Sequence, residues 1–99
     1  VIHPVLYRHI YSEAIPKFAR FAKEVWNIKS DKSDVELAAQ SITALTDFIK
    51  ETGLPLRFRD MGIKDNSCFK DVAYSCNITA GCCKKLDKSE ILEILNECY

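Results

Sequence analysis

The sequence predicts an all-α domain, a compact bundle of about five helices. Apolar residues recur at three- and four-residue steps in four separate stretches, helix-starting residues precede them, and glycines stand where they stop. No clear strand pattern is present. Ile2 to Tyr11 is apolar-rich and accepts Pro4 in a first helical turn, where the missing N–H has no intrahelical partner to lose. From Glu13 to Asn27, Ile15, Phe18, Ala22, Val25 and Trp26 share one face while Lys17, Arg20 and Lys23 lie off it, with Pro16 in the first turn.

The polar run Lys29-Ser30-Asp31-Lys32 breaks this pattern, and Ser33-Asp34-Val35-Glu36 then spells a capping box. The helix that follows carries Val35, Ala38, Ala39, Ile42, Leu45 and Ile49 as its buried stripe. Gly53 suits the left-handed residue after its end, and Pro55 prevents continuation. Leu54 to Asp65 lacks periodicity and predicts an ordered loop anchored by Leu54, Leu56, Phe58, Met61 and Ile63. A cap near Asp65 to Ser67 starts a further helix with Phe69, Val72, Ala73, Cys76 and Ala80 on one face, ended by Gly81. Asp87 and Glu90 begin the last helix, whose apolar face is Ile91, Ile94, Leu95 and Cys98.

Residues 1–99 suffice for one domain with a thin core, in which a missing neighbour would be felt. Fourteen basic and fourteen acidic side chains balance, which argues against nucleic acid or an anionic membrane surface as partner. No apolar run approaches the ~20 residues of a membrane span, and no basic and apolar leader opens the chain. The start at Val1, inside an apolar stretch, is that expected of a piece of a longer polypeptide. Five cysteines without a CxxC pair fit a reduced, cytoplasmic setting, where the sequon Asn77-Ile78-Thr79 has no role.

Residues able to carry chemistry are few and scattered. His3 and His9 lie six residues apart, on different sides of a helix, and make a poor metal pair. Cys82-Cys83, followed by Lys84-Lys85, could be a redox pair, yet inert packing is the preferred reading. Arg57, Arg59 and Lys64 form a basic loop that lacks a glycine-rich phosphate cradle. Phe18, Phe21, Trp26 and Phe48 are read as core, since helical spacing alone produces such a stripe. No triad, P-loop or dinucleotide fingerprint occurs, so no catalytic, cofactor-binding or metal-binding residue is assigned.

Three blocks nevertheless resemble one family. Pro4-Val5-Leu6-Tyr7 with Lys17-Phe18-Ala19-Arg20-Phe21-Ala22-Lys23-Glu24-Val25-Trp26-Asn27 is one. Phe48-Ile49-Lys50-Glu51-Thr52-Gly53-Leu54-Pro55 with Met61-Gly62-Ile63 is the second, and Gly81 with Leu86 to Leu95 is the third. Together they are similar to the C-terminal helical region of group III iron-containing alcohol dehydrogenases, in particular the NAD(P)H-dependent butanol dehydrogenase branch. The resemblance covers essentially the whole chain. It implies part of a dehydroquinate-synthase-like helical domain, in a parent that binds NAD(P)(H) and a divalent metal, iron or zinc. There the metal polarises the alcohol or aldehyde oxygen while hydride moves to or from nicotinamide.

It further implies that the ligands, one aspartate and three histidines, lie outside these residues, the last in an HGxGLA-like motif just upstream of Val1. His3 falls at a position that is apolar or small in relatives and inherits no ligand role. Cys82-Cys83 departs from the small or apolar residues expected after the family's glycine. On this resemblance the chain is part of the wall of an active-site cleft, holds neither cofactor nor metal and is inactive alone. Its partner is then the missing N-terminal part of the parent chain, and the exposed helix faces favour self-association. The alternative reading is a free-standing helical protein-interaction module.

Overall fold

The computed structural model describes residues 1–99, with five α-helices and no strand. They are α1 (Ile2–Ile10), α2 (Ile15–Glu24), α3 (Asp34–Glu51), α4 (Phe69–Ser75) and α5 (Lys88–Glu97). Short 3-10 turns occupy Tyr11–Glu13 and Phe58–Met61. The all-α fold class read from periodicity is the one observed.

Helices α2 and α3 form one antiparallel pair and α4 and α5 a second, smaller one. The first helix, α1, packs on both α3 and α5 and is the only one that joins the two pairs. Ile10 meets Phe18, Ala38 and Ile42 on one side of α1, and Val5 meets Ile94 and Cys98 on the other. Ala19 and Ala22 of α2 close on Leu37, and Phe69 and Ala73 of α4 on Leu95. Alanines at these crossings have no side chain beyond Cβ to hold the helices apart.

The start of α3 is the capping box expected. The Ser33 hydroxyl accepts from the Glu36 amide at 3.4 Å, and the Glu36 carboxylate accepts from the Ser33 amide at 3.1 Å. Gly53 takes the left-handed conformation, φ 73°, that lets its amide fold back on the Lys50 carbonyl at 3.0 Å. Ser41, fully buried, donates to the Ala38 carbonyl at 2.7 Å, so its hydroxyl costs the α3 core no unmade bond.

Several details depart from the sequence reading. The second helix ends at Glu24, not Asn27. Asn27 adopts φ 52°, and the Ile28 amide turns back to the Ala22 carbonyl at 3.0 Å, which lifts Val25 off the buried face and leaves it 59% exposed. On α3, Leu37 rather than Val35 meets α2, so Val35 is 53% exposed and Ala39 faces outward too.

The fourth helix stops at Ser75, short of Gly81. Lys88 Nζ from the first turn of α5 donates to the carbonyls of Tyr74, at 2.8 Å, and Cys76, which satisfies the α4 end five residues early. Ala80, beyond that end, is exposed rather than packed, and so is Val72, which lies within α4 but off the face that meets α5. In the loop after α3, Leu56, Phe58 and Ile63 are partly buried, whereas Leu54 and Met61 are 60% and 58% exposed and anchor nothing.

The molecule is a slab with principal extents of 44, 33 and 16 Å, and 15 of 99 residues are buried. Its accessible surface is 6649 Å². A monomeric protein of its 11.3 kDa mass would expose about 5,700 Å² by the usual size scaling. The excess comes from helix faces covered on one side only.

The register of α3 has a direct check. Leu37→Ala is expected to destabilise the chain by about 2–5 kcal/mol in urea unfolding. Val35→Ala should stay within about 0.5 kcal/mol. A larger loss at Val35 than at Leu37 would contradict the α2/α3 packing described above.

Candidate functional site

The two histidines are placed apart in role as well as in sequence. His3 is exposed on α1, its ring edge-on to Tyr7 with 5.6 Å between centroids. His9, in the last turn of α1, is largely covered and sits between two carboxylates of α5. Its Nδ1 lies 3.2 Å from Glu90 Oε1, and its Nε2 lies 2.8 Å from Glu97 Oε1. A neutral imidazole has one N–H and can donate to only one of them, so the arrangement suits the doubly protonated ring. Burial works against the charge on His9. The hydrogen bonds to Glu97 and Glu90 outweigh it and hold the His9 pKa above the ordinary value of 6.5.

The same Glu90 oxygen accepts from Lys84 Nζ at 2.6 Å, and Lys84 also donates to the His9 carbonyl at 3.1 Å. Hydrogen bonding to Lys84 first, and to His9 next, draws the Glu90 carboxyl below its usual 4.5. Arg8 completes the group at 3.9 Å from Glu97, an exposed pair of small energetic weight. This cluster ties α1, α5 and the segment before α5 together. Sequence reading missed it. Glu90 reads as a capping residue, and its amide does donate to Asp87 at 2.8 Å, but its carboxylate is engaged with Lys84 and His9.

The remaining candidates fall as follows. Cys82 and Cys83 are both exposed, which corrects the expectation that they pack; Cys98 is the one buried thiol. The segment carrying the pair has left the helix that was expected to continue to Gly81, so no helix face buries it. Arg59 lies over the Tyr99 ring, 4.5 Å from its centroid, and donates through Nε to the Tyr99 carbonyl at 2.5 Å. Tyr99 in turn donates to the Lys64 carbonyl at 2.7 Å. The basic loop thus latches onto the end of α5.

Of the aromatic stripe, Phe18 is core, edge-on to Tyr7 and Tyr11. Phe21, Trp26 and Phe48 form a chain with 5.6 Å between successive rings that ends half-exposed at Phe48. No three His, Cys, Asp or Glu side chains converge as a metal would require, so the residues present do not fit a metal centre.

The largest concave feature is apolar. A groove of about 440 Å³ runs between the start of α1, the end of α3 and the loop beyond it, lined by Ile2, Ile49, Leu54, Pro55, Phe58 and Met61. Leu54 and Met61, which fail to anchor the loop, form part of this wall. His3 also lines the groove, but no second titratable side chain stands beside it there, so the lining has no acid–base pair of the kind that performs catalysis.

No family model matches the chain. Over 90 residues it is 30% identical to NADH-dependent butanol dehydrogenase B of Clostridium acetobutylicum, a match covering 87% of this chain and 23% of that protein. It is 24% identical, again over 90 residues, to NADH-dependent butanol dehydrogenase A of the same organism, covering 88% of this chain and 23% of that one. The chain thus spans less than a quarter of the length of these relatives. Its whole length superposes on 26% of the chain of a solved 1,3-propanediol oxidoreductase, with a TM-score of 0.89 and 22% identity. Its fold is that of a helical stretch of this oxidoreductase, and the proteins it is similar to in sequence are alcohol dehydrogenases. Within them its sequence relatives are the butanol dehydrogenases, the branch that the sequence blocks resemble.

The charged cluster predicts a stability window. The raised His9 pKa contributes stability that is complete below 6.5 and lost as pH rises through the folded value. The lowered Glu90 pKa contributes stability complete above 4.5 and lost as pH falls through its folded value. The pH profile of stability in the wild type should therefore exceed that of His9→Gln most between 4.5 and 6.5. The difference should be about 1 kcal/mol or less, because Glu97 is half-exposed. Parallel profiles across that range would remove the clamp.

Proposed function

We propose that this chain is the C-terminal helical portion of a metal-dependent, NAD(P)(H)-linked alcohol dehydrogenase or aldehyde reductase of the iron-containing class. In this reading it forms part of the wall of the active-site cleft. The carrying observation is the 30% identity to a butanol dehydrogenase over 87% of the chain, supported by the superposition of every residue on a stretch of a diol oxidoreductase. Metal and nucleotide belong to the rest of the polypeptide. The chain's own residues do not fit a metal centre, so no catalytic step is assigned to them.

What these residues contribute is a shaped apolar surface. The slab form, the surface in excess of that expected for its mass and the groove at Ile2, Leu54 and Met61 are consistent with a body that packs against further protein. The N-terminal part of the parent is the proposed partner. In isolation the same faces would drive self-association. No helix is long and apolar enough to cross a membrane, and a cytoplasmic location goes with this reading. The sequence relatives favour it over a free-standing interaction module.

The test is the coding sequence immediately upstream of Val1. It should encode an Asp-x-x-x-His motif and two further histidines, and the full polypeptide should oxidise NAD(P)H with butyraldehyde while the 99 residues alone do not. A translation start at Val1, or turnover by the isolated chain, would defeat the proposal. In sedimentation the isolated chain should associate, and Leu54→Ser with Met61→Ser should shift it toward monomer. A strictly monomeric isolated chain at high concentration would remove the self-association arm.

A further inference from the structure

Cys82 and Cys83 are the one feature of the sequence that neither the core nor the proposed function absorbs. Both are exposed, they are covalent neighbours, and they follow Gly81, at φ 113°, in the irregular segment between α4 and α5. The two side chains interact. Partial desolvation of its sulfur comes first, then the nearby Cys82 charge and a hydrogen bond with Cys82, in pushing the Cys83 thiol above its ordinary value of 9.0. Cys83 Sγ also lies 3.8 Å from the Ile10 carbonyl at the end of α1. Lys84 does not activate the pair, because its ammonium is taken up by Glu90 and the His9 carbonyl. Both side chains are open to solvent.

Geometry separates two possible uses. The chain has no cis peptide, so the Cα atoms of neighbouring residues stand about 3.8 Å apart. An unstrained disulfide needs about 4.4–6.8 Å, and direct closure of this pair is therefore disfavoured. An atom inserted between the sulfurs, with bonds of about 2.3 Å to each as thiolate coordination typically gives, relieves that constraint. Two thiols with no third His, Cys, Asp or Glu converging on them suit a centre that takes two sulfur ligands.

We propose that Cys82-Cys83 is a dithiol chelation site for a monosubstituted trivalent arsenical. One arsenic–oxygen unit, R–As=O, reacts with both thiols. Two As–S bonds form, the As–O bond breaks, and the two thiol protons leave with the oxygen as water. Arsenic remains trivalent, and no oxidant or reductant takes part. The site is independent of the dehydrogenase reading, since it uses only residues of this chain outside the groove.

The experiment is titration of the chain with phenylarsine oxide, followed by intact-mass measurement and thiol counting. One arsenical should add per chain with loss of two titratable thiols, survive a monothiol competitor and be released by a dithiol. Cys82→Ser and Cys83→Ser should each weaken retention by about a hundredfold, the advantage that linking two binding groups confers. Cys68→Ser and Cys76→Ser should retain the adduct. Persistence of the two-thiol adduct in Cys83→Ser, or its loss in Cys76→Ser, would assign the chelate to other sulfurs and overturn the proposal. So would an adduct consuming a single thiol. Circular dichroism of each serine variant separates loss of ligand from loss of fold.

Discussion

The first helix is the constraint on which the rest of the structure depends. The α2/α3 pair and the α4/α5 pair share no direct packing of their own; each is fastened to α1. Val5 and Ile10 point to opposite neighbours, so nine residues of helix, with Leu86 packed beside both clusters, carry the apolar contact between the two halves of the slab. Dispersion and burial at so few side chains are modest. The charged cluster at His9 sits on the same helix and adds a polar fastening between α1 and α5 where the hydrophobic one is thin.

This division explains why the fold was largely legible in the sequence. Periodicity is a local signal and gives the five helices, and the capping box at Ser33 and Glu36 and the stop at Gly53 are local as well and appear where the residues placed them. The misreadings have a common physical origin in contacts that span the chain. Nothing near Ser75 says that α4 must stop there, because the group that satisfies its last carbonyls is Lys88, thirteen residues on. Likewise the choice of Leu37 over Val35 is made by Ala19 and Ala22 on another helix. A stripe with Ala38 and Ile42 right and Val35 in place of Leu37 still predicts a helix but misassigns the edge of its buried face.

For the candidate site the sequence was informative in a different way. Matching blocks from Pro4 to Leu95 led to the relatives, whereas no single residue pointed to chemistry. The groove was illegible because its wall is assembled from the start of α1, the end of α3 and a loop, with Leu54 and Met61 looking in sequence like ordinary anchors. The clamp was illegible because eighty-one residues separate His9 from Glu90, and a glutamate three positions after an aspartate has a sufficient local reading as a cap.

The segment between α4 and α5 is where these features converge. From Asn77 to Lys85 only Lys84 is partly buried, so this stretch contributes no side chain to the hydrophobic clusters. It is held instead by Lys84 on the His9 carbonyl and Glu90, by the Cys83 contact to Ile10, and by Lys88 on the end of α4. Polar contacts at partly wet positions each add little net stability. Few buried apolar contacts place the segment at the low end of the local opening free energies within the chain. An exposed thiol pair carried on such a segment can rearrange around an inserted atom at the cost of few packed contacts. The same adjustment inside a helix face would break backbone bonds of the helix itself.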